Sequence, residues 1–371
     1  MGNRDLSSTF FLPGIKGVVR EDIDYIARNF PDAANSQGGV FFHEGLRTSY
    51  SIHPAKNQKR IIIGLSGANA LFPLNLREIN SLNNEGNTMI CIALHKIGPD
   101  FMKKSEDLIR AFLTHPVSPA YTHIQNRVPT YIVSHSSSGP ILLKLYGEKD
   151  TGRLLRTRFN GAAFIAPIFD VPFASRDHSY KVGVRQPLRS IFEWYADRKP
   201  DMPLTDRRLV KAYLSLTAGE ESFVGKLGNF GMTLGHVRQI QKYSWDVMDN
   251  FKPSSMDNIP SVVMAGDADS CTCWKTSRDM AGKMNADFHL IPDGGHDLIK
   301  THPELLRVFT GKADMIEKTR GEARVPISYM PLPYTYGKKD DPISLADVLR
   351  DRAGLALKSS TRFLNTAAGL F

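Results

Sequence analysis

The chain has 371 residues, of which 42% are hydrophobic and 23% are charged. This composition predicts a folded globular protein with a sizeable core. The formal net charge of +9 comes from 47 basic and 38 acidic residues. The basic residues form no long run, so no nucleic-acid partner is expected. A solvated basic surface is the simplest interpretation, and peripheral contact with an anionic membrane surface stays open as an alternative.

The cysteines predict neither a disulfide framework nor a metal site. Cys91 lies in an apolar run, and Cys271 and Cys273 are separated by one residue. That spacing is too short for an ordinary disulfide and does not match zinc ligands. The first residues lack the apolar core of a signal peptide. The sequence contains no uninterrupted apolar run of about 18 residues, so no membrane-spanning helix is predicted. We therefore expect a cytoplasmic protein with no metal or other cofactor.

Apolar strand-like runs alternate with helical segments along much of the chain. A strand pair is predicted at 39–43 and 47–53, around a turn at Glu44-Gly45. Further strands are predicted at 60–65, 88–94, 128–133, 159–165, 261–266 and 287–291. Helices are predicted at 105–114, from the turn after the 128–133 strand to about residue 146, at 276–284 and at 303–310. This alternation predicts an α/β fold with a mainly parallel central sheet and helices on both faces.

The alternation stops between about residue 169 and residue 258, where helix formers and scattered prolines dominate. This stretch is interpreted as a helical cap inserted into the α/β core. The predicted organisation is an N-terminal extension at 1–38, a core at 39–169 and 259–318, a cap at 170–258, and a C-terminal extension at 319–371. The oligomeric state is not predicted.

The segment YIVSHSSSGP at 131–140 indicates a strand, a sharp turn and a helix. The turn carries Ser136 between small residues, and Pro140 suits the first turn of a helix because its missing N–H costs nothing there. A serine at such a turn projects its hydroxyl clear of the sheet above a helix N-terminus. We therefore identify Ser136 as a candidate nucleophile, although serine-rich turns also occur in ordinary loops.

A serine nucleophile needs a base and an acid, and two later strand exits supply candidates. The loop after the 261–266 strand carries Asp267 and Asp269, and the loop after the 287–291 strand carries His296 behind two glycines. Both loops leave the carboxyl ends of predicted strands, as Ser136 does. The order Ser136, acid, His296 is the chain order of α/β-hydrolase triads.

The loop that follows the 60–65 strand is a candidate oxyanion hole. It reads Leu65-Ser66-Gly67-Ala68. The backbone N–H groups of Ala68 and Ser137 are predicted to hold the negative charge that develops on the substrate oxygen. An ordinary turn between a strand and a helix is the alternative, and it is compatible with this role.

Five pieces of the sequence resemble α/β-hydrolases of the lysophospholipase and monoacylglycerol-lipase type, also described as serine aminopeptidase-like. They are IIIGLSGAN at 61–69, YIVSHSSSG at 131–139, AAFIAP at 162–167, MAGDAD at 264–269 and IPDGGHD at 291–297. The resemblance spans about 39–309 and selects Asp269 over Asp267 as the triad acid. It also implies the α/β-hydrolase fold and a helical cap.

The chain departs from the family pattern in several places. Ser66-Gly67 stands where His-Gly is usual, and residues 94–99 replace an Asp-x-Arg-Gly turn. The commonest form of the turn that carries a nucleophilic serine, the nucleophile elbow, reads G-x-S-x-G. Ser134 and Ser138 stand at its two glycine positions, and each adds a Cβ beside backbone that is expected to be strained.

These observations predict a serine hydrolase of carboxylic esters. The resemblance implies a lipid-like acyl substrate, a lysophospholipid or a monoacylglycerol. Two alternatives stay open: a non-catalytic ligand-binding protein on the same fold, and a peptidase that uses the same triad.

Overall fold

The computed structural model describes residues 37–68, 76–94, 97–116, 118–124, 128–171, 196–201, 232–257, 259–269, 271–307 and 309–311. The extensions predicted at 1–38 and 319–371 lie outside these residues, except for positions 37 and 38. Most of the predicted cap at 170–258 also lies outside them. The domain boundaries therefore stay predictions.

Among the described residues, eight strands form one sheet in the order β1-β2-β4-β3-β5-β6-β7-β8. The first two pairings, β1 with β2 and β2 with β4, are antiparallel, and every later neighbour pair is parallel. The strands are β1 Gln37–His43, β2 Leu46–His53, β3 Arg60–Leu65, β4 Asn87–Ile92, β5 Thr130–His135, β6 Gly161–Ile165, β7 Ser261–Gly266 and β8 Asp287–Ile291. The predicted mainly parallel α/β sheet is confirmed.

Each connection between consecutive parallel strands contains at least one described helix, and a further short helix follows β8. They are α1 Leu76–Asn84, α2 Phe101–Thr114, α3 Pro119–Ile124, α4 Ser138–Gly147, α5 Lys149–Arg158, α6 Leu234–Asn250, α7 Trp274–Met284 and α8 Leu298–Thr301. None of the described helices is long and apolar enough to cross a bilayer.

Both faces of the sheet are covered. Ile62 and Ile63 are neighbours on β3, so their side chains point to opposite faces, and neither has any solvent exposure. Ile62 belongs to a core cluster with Ile79 and Leu82 of α1 and with Leu298 and Ile299 of α8. A parallel sheet that is apolar on both faces needs this double cover.

Several boundaries differ from the sequence prediction for local reasons. β5 begins at Thr130 and not at residue 128, because Pro129 has no N–H to give to the ladder. β6 begins at Gly161 because the N–H of Phe159 still donates to Leu155 O at the end of α5. α2 begins at Phe101, four residues before the predicted start.

A buried carboxylate stabilises the packing of α2, α4 and α6. The Glu106 side chain is fully buried and accepts hydrogen bonds from Lys103 Nζ at 2.7 Å, Lys144 Nζ at 3.0 Å and Tyr243 OH at 2.9 Å. Arg110 also donates to it. Burial alone would raise the pKa of Glu106, but these donors outweigh burial and lower that pKa to about 2. Glu106 is therefore ionised.

The described residues divide into two compact units. One contains those up to Phe169 and those from Ile240 onward, and the other contains those from Asp170 to Gln239. The sheet and all three candidate triad residues belong to the first unit. In the second unit, Arg238 pairs with Asp197 at 3.6 Å.

Candidate active site

Ser136 occupies a strained turn between β5 and α4. Its φ angle of 61° lies in the left-handed region, which costs a non-glycine residue about 1–2 kcal/mol. Hydrogen bonds hold the residue there: its N–H donates to Ile165 O at 3.1 Å, and its carbonyl accepts from Ile168 N and Gly139 N, both at 3.1 Å. Backbone strain fixed in this way is typical of functional sites.

The serines that replace the usual elbow glycines hydrogen-bond to the surrounding backbone. Ser138 Oγ accepts from the N–H of His135 at 3.0 Å and lies 2.9 Å from the carbonyl oxygens of Leu65 and His135, to which it can donate. Ser134 Oγ donates to Ala163 O at 3.2 Å. The hydroxyl of Ser138 thus links the turn to the end of β3. We find that these serines fit the turn through hydrogen bonds that glycines could not make.

The structure brings the three predicted triad residues together. Ser136 Oγ lies 2.8 Å from His296 Nε2, and His296 Nδ1 lies 3.0 Å from Asp269 Oδ2. An ionised carboxylate can only accept, so Nδ1 carries the proton and Nε2 accepts the Ser136 hydroxyl. The His296 side chain is 15% exposed and that of Asp269 is fully buried. Solvent therefore reaches the imidazole but not the acid.

Asp269 is held by its own loop. Its Oδ1 accepts from the N–H groups of Cys271 at 2.7 Å and Thr272 at 3.1 Å, and its Oδ2 accepts from Thr272 Oγ1 at 2.8 Å. Burial pushes the pKa of Asp269 up, but the charge of His296 and these hydrogen bonds outweigh burial and lower it. Asp267 is exposed, so of the two aspartates only Asp269 has the surroundings of a buried, ionised partner for His296.

Two glycines bring the acid loop and the histidine loop into contact. A Cβ on Gly266 would lie 1.9 Å from Gly294 O, so no side chain fits between these backbones. The N–H of Ala268 donates to Gly294 O at 3.1 Å, and that of Asp267 donates to Ile291 O at 3.2 Å. The loops follow adjacent parallel strands, and this contact fixes Asp269 relative to His296.

His135 makes a contact that the sequence did not predict. Its Nε2 donates to the carbonyl oxygen of His296 at 3.0 Å, and the two rings lie 5.1 Å apart. Burial, together with the charge of His296, lowers the pKa of His135 to about 4, so this imidazole is neutral. The one sequence signal was its place beside Ser136. We infer that His135 helps to hold the main chain of the histidine loop.

The proposed oxyanion loop lies against Ser136. A Cβ built on Gly67 would come within 2.9 Å of Ser136 Cβ and 3.2 Å of its Oγ. Ala68 follows directly, and Ser137 forms the N-cap of α4, where backbone N–H groups lack intrahelical acceptors. The roles of the Ala68 and Ser137 N–H groups stay predictions.

Among the residues that the structure describes, one group has the side chains to hold a metal ion. One ligand atom each from Asp269, Cys271 and His296 lies within 4.8 Å of the others. Cys271 was not predicted to lie here, because spacing in the sequence gives no information on a thiol's distance from a residue in another loop.

The strand order and the serine turn after β5 define the α/β-hydrolase fold. No family model and no curated protein matches the chain. Among solved structures, the chain is similar to a soluble variant of monoglyceride lipase from Saccharomyces cerevisiae, with 12% identity over 75% of this chain and 94% of that one and a TM-score of 0.49. It is also similar to Est1E from Butyrivibrio proteoclasticus, with 14% identity over 77% of this chain and 99% of that one and a TM-score of 0.43. Similarity this distant carries no information on the substrate of this chain.

Proposed function

We propose that this protein is a serine hydrolase that cleaves carboxylic esters through an acyl-enzyme intermediate. One observation carries the proposal: a continuous hydrogen-bonded chain from Ser136 Oγ through His296 to Asp269, at 2.8 and 3.0 Å, on a turn with strained backbone. Ser136 is an alcohol nucleophile in reach of the His296 imidazole, and a buried carboxylate orients that imidazole.

Acylation follows from this geometry. His296 Nε2 takes the hydroxyl proton as Ser136 Oγ attacks the acyl carbon, and the imidazolium that forms is stabilised by Asp269. The N–H groups of Ala68 and Ser137 are proposed to hold the oxyanion. Removing one such donor from a serine hydrolase costs about 3 kcal/mol of transition-state stabilisation. The imidazolium then protonates the leaving alcohol.

Deacylation uses the same groups in reverse. A water molecule gives a proton to His296 Nε2 and attacks the acyl carbon, and Ser136 Oγ recovers its proton when the acid is released. Because Asp269 accepts from Nδ1–H, it keeps Nε2 unprotonated for both steps. Asp269→Asn would favour the opposite tautomer, and in a serine protease this change lowers kcat by about 10⁴.

The finer substrate proposal is a lipid-like acyl ester, a lysophospholipid or a monoacylglycerol. It is supported by the sequence resemblance to hydrolases of these esters. The net charge of +9 suits an anionic lysophospholipid and does not bear on an uncharged monoacylglycerol. A cytoplasmic location stays a prediction based on the sequence.

Labelling with a fluorophosphonate tests the nucleophile. The full chain should be labelled at Ser136, and Ser136→Ala should abolish labelling. Ser137→Ala is the matched control, since the proposed role of Ser137 uses only its backbone N–H. A folded protein that is not labelled at Ser136 would support the non-catalytic binding protein instead.

A substrate panel tests the reaction class. We expect cleavage of p-nitrophenyl esters of increasing acyl length, with kcat/KM rising toward longer chains if the acyl group is lipid-like. Hydrolysis of aminoacyl substrates without hydrolysis of any acyl ester would replace the esterase proposal by a peptidase. A preference for acetate over every longer ester would remove the lipid-like substrate and keep the esterase.

A further inference from the structure

The triad acid and base share their surroundings with a thiol. Cys271 is 3% exposed and lies two residues after Asp269, to whose Oδ1 its N–H donates at 2.7 Å. Potential ligand atoms of Cys271, Asp269 and His296 lie within 4.8 Å of one another. Cys271 is not part of a disulfide. A thiol, a carboxylate and an imidazole therefore converge at one point.

This set of side chains suits a zinc-class cation. Zinc binds Cys sulfur at about 2.3 Å, His nitrogen at about 2.0–2.1 Å and carboxylate oxygen at about 2.0–2.2 Å, with tetrahedral geometry. Ligand atoms around such an ion are then about 3.3–3.7 Å apart. The 3.0 Å separation of His296 Nδ1 and Asp269 Oδ2 has to widen slightly. The thiol, which lies within 4.8 Å of one ligand atom of each of the other two residues, has to approach the ion. Three protein ligands leave one position for water.

We propose that Asp269, Cys271 and His296 form an inhibitory site for Zn²⁺ and similar thiophilic divalent cations. On binding, the Cys271 thiol releases its proton to solvent and its sulfur bonds the ion. His296 binds through Nδ1, which faces the carboxylate, and its proton then resides on Nε2. The ion thus takes the place of the proton that Nδ1 donates to Asp269 in the metal-free state.

Inhibition follows from the tautomer. With metal on Nδ1, Nε2 carries a hydrogen and donates toward Ser136 Oγ, 2.8 Å away in the metal-free structure. A nitrogen that already carries a proton cannot accept the serine proton, so acylation stops. This inhibition rests on the proposed esterase function, whereas metal binding itself does not. The exposed part of the His296 side chain offers the ion a route in.

Cobalt binding tests the site without any enzyme assay. We expect Co²⁺ added to the metal-free full chain to give a thiolate-to-cobalt charge-transfer band in the near ultraviolet. Cys271→Ser should abolish this band. Cys273→Ser is the matched control, because Cys273 is also buried but lies outside the cluster, and it should keep the band. If Cys271→Ser does not fold, His296→Gln removes the nitrogen ligand and should weaken Co²⁺ binding.

Zinc titration of p-nitrophenyl ester hydrolysis tests the inhibition. We expect Zn²⁺ to inhibit, a chelator to restore activity, and Cys271→Ser to raise the inhibitory concentration at least about tenfold, since even outer partners of metal ligands change affinity by this much. Absence of the cobalt band in the parent chain, or its persistence in Cys271→Ser, would overturn the site. A cysteine-dependent band in a chain that hydrolyses no ester would support the metal site and contradict the proposed function.

Discussion

Replacing Gly67 by alanine places a methyl group against the proposed nucleophile. The new Cβ would lie 2.9 Å from Ser136 Cβ and 3.2 Å from Oγ, whereas ordinary contact begins at 3.4 Å. The two residues must therefore separate by about 0.5 Å. Ser136 cannot retreat easily, because hydrogen bonds to Ile165, Ile168 and Gly139 hold its backbone on both sides.

The shift disturbs the 2.8 Å contact of Ser136 Oγ with His296 Nε2. A misplacement of 1 Å at a reacting centre can cost about 100-fold, so half of that distance predicts a fall in kcat of about tenfold. KM should change little, because the methyl group displaces the nucleophile, whose position affects the chemical step more than it affects substrate binding. The assay is steady-state hydrolysis of a p-nitrophenyl ester, with circular dichroism to confirm folding.

Gly295→Ala is the control for this substitution. Gly295 directly precedes His296, yet a Cβ there would meet no atom within 4 Å. We expect its kcat to stay near that of the parent chain. A folded Gly67→Ala protein with kcat within about twofold of the parent would refute the close-approach argument. Equal losses in both variants would indicate general sensitivity of the site to added methyl groups.

Three further predictions concern stability, each measured by denaturant unfolding. Burial lowers the pKa values of His53 and His135 to about 4, so both histidines take up a proton near pH 6.5 in the unfolded chain but not in the folded chain. The free energy of unfolding should therefore fall by about 2 kcal/mol per histidine between pH 7 and pH 5. A free energy of unfolding that does not change over this pH range would contradict the prediction. Ser136→Gly should be about 1 kcal/mol more stable than Ser136→Ala, because only glycine relieves the left-handed strain, and equal stabilities would argue against that strain. Glu106→Gln should cost about 2 kcal/mol, because it removes a fully buried carboxylate that accepts charge-assisted hydrogen bonds from partly exposed cations. Asp107→Asn, with a side chain 33% exposed, should cost under about 1 kcal/mol, and similar small losses in both variants would show that the Glu106 network adds little.

Much of the fold could be predicted because its signals are local. The 60–65 and 287–291 strands have the predicted bounds. The first is an apolar run that is buried in the sheet, and the second alternates polar and apolar residues as a half-exposed strand does. The helix α5 was not predicted, and its sequence explains why. It contains Gly152, which disfavours helix, yet a Cβ there would lie 2.2 Å from Tyr146 O, so packing against α4 requires the glycine. Tertiary contact of this kind leaves no periodic signal.

The candidate triad could be predicted because each residue leaves the carboxyl end of a strand, and parallel strands bring those ends to one edge. Contacts made by single atoms could not be predicted. The hydrogen bond from His135 to the His296 carbonyl joins residues 161 positions apart and depends on the exact path of the histidine loop. The closeness of the Cys271 thiol to the side chains of Asp269 and His296 likewise depends on the directions in which these side chains point.

The position of His296 after an edge strand affects how the active site responds to heat and denaturant. β8, the strand that leads to His296, is the last strand of the sheet, and four of its five residues are at least partly exposed. Edge elements open at a lower free energy than a buried sheet centre. Residues 135 and 136 hydrogen-bond to the carbonyl and to the ring of His296, respectively. These two contacts attach the loop that follows β8 to the end of the central strand β5. We therefore expect activity to be lost at a lower temperature or denaturant concentration than the pairing of the inner strands, because the contacts of His296 with β5 open first.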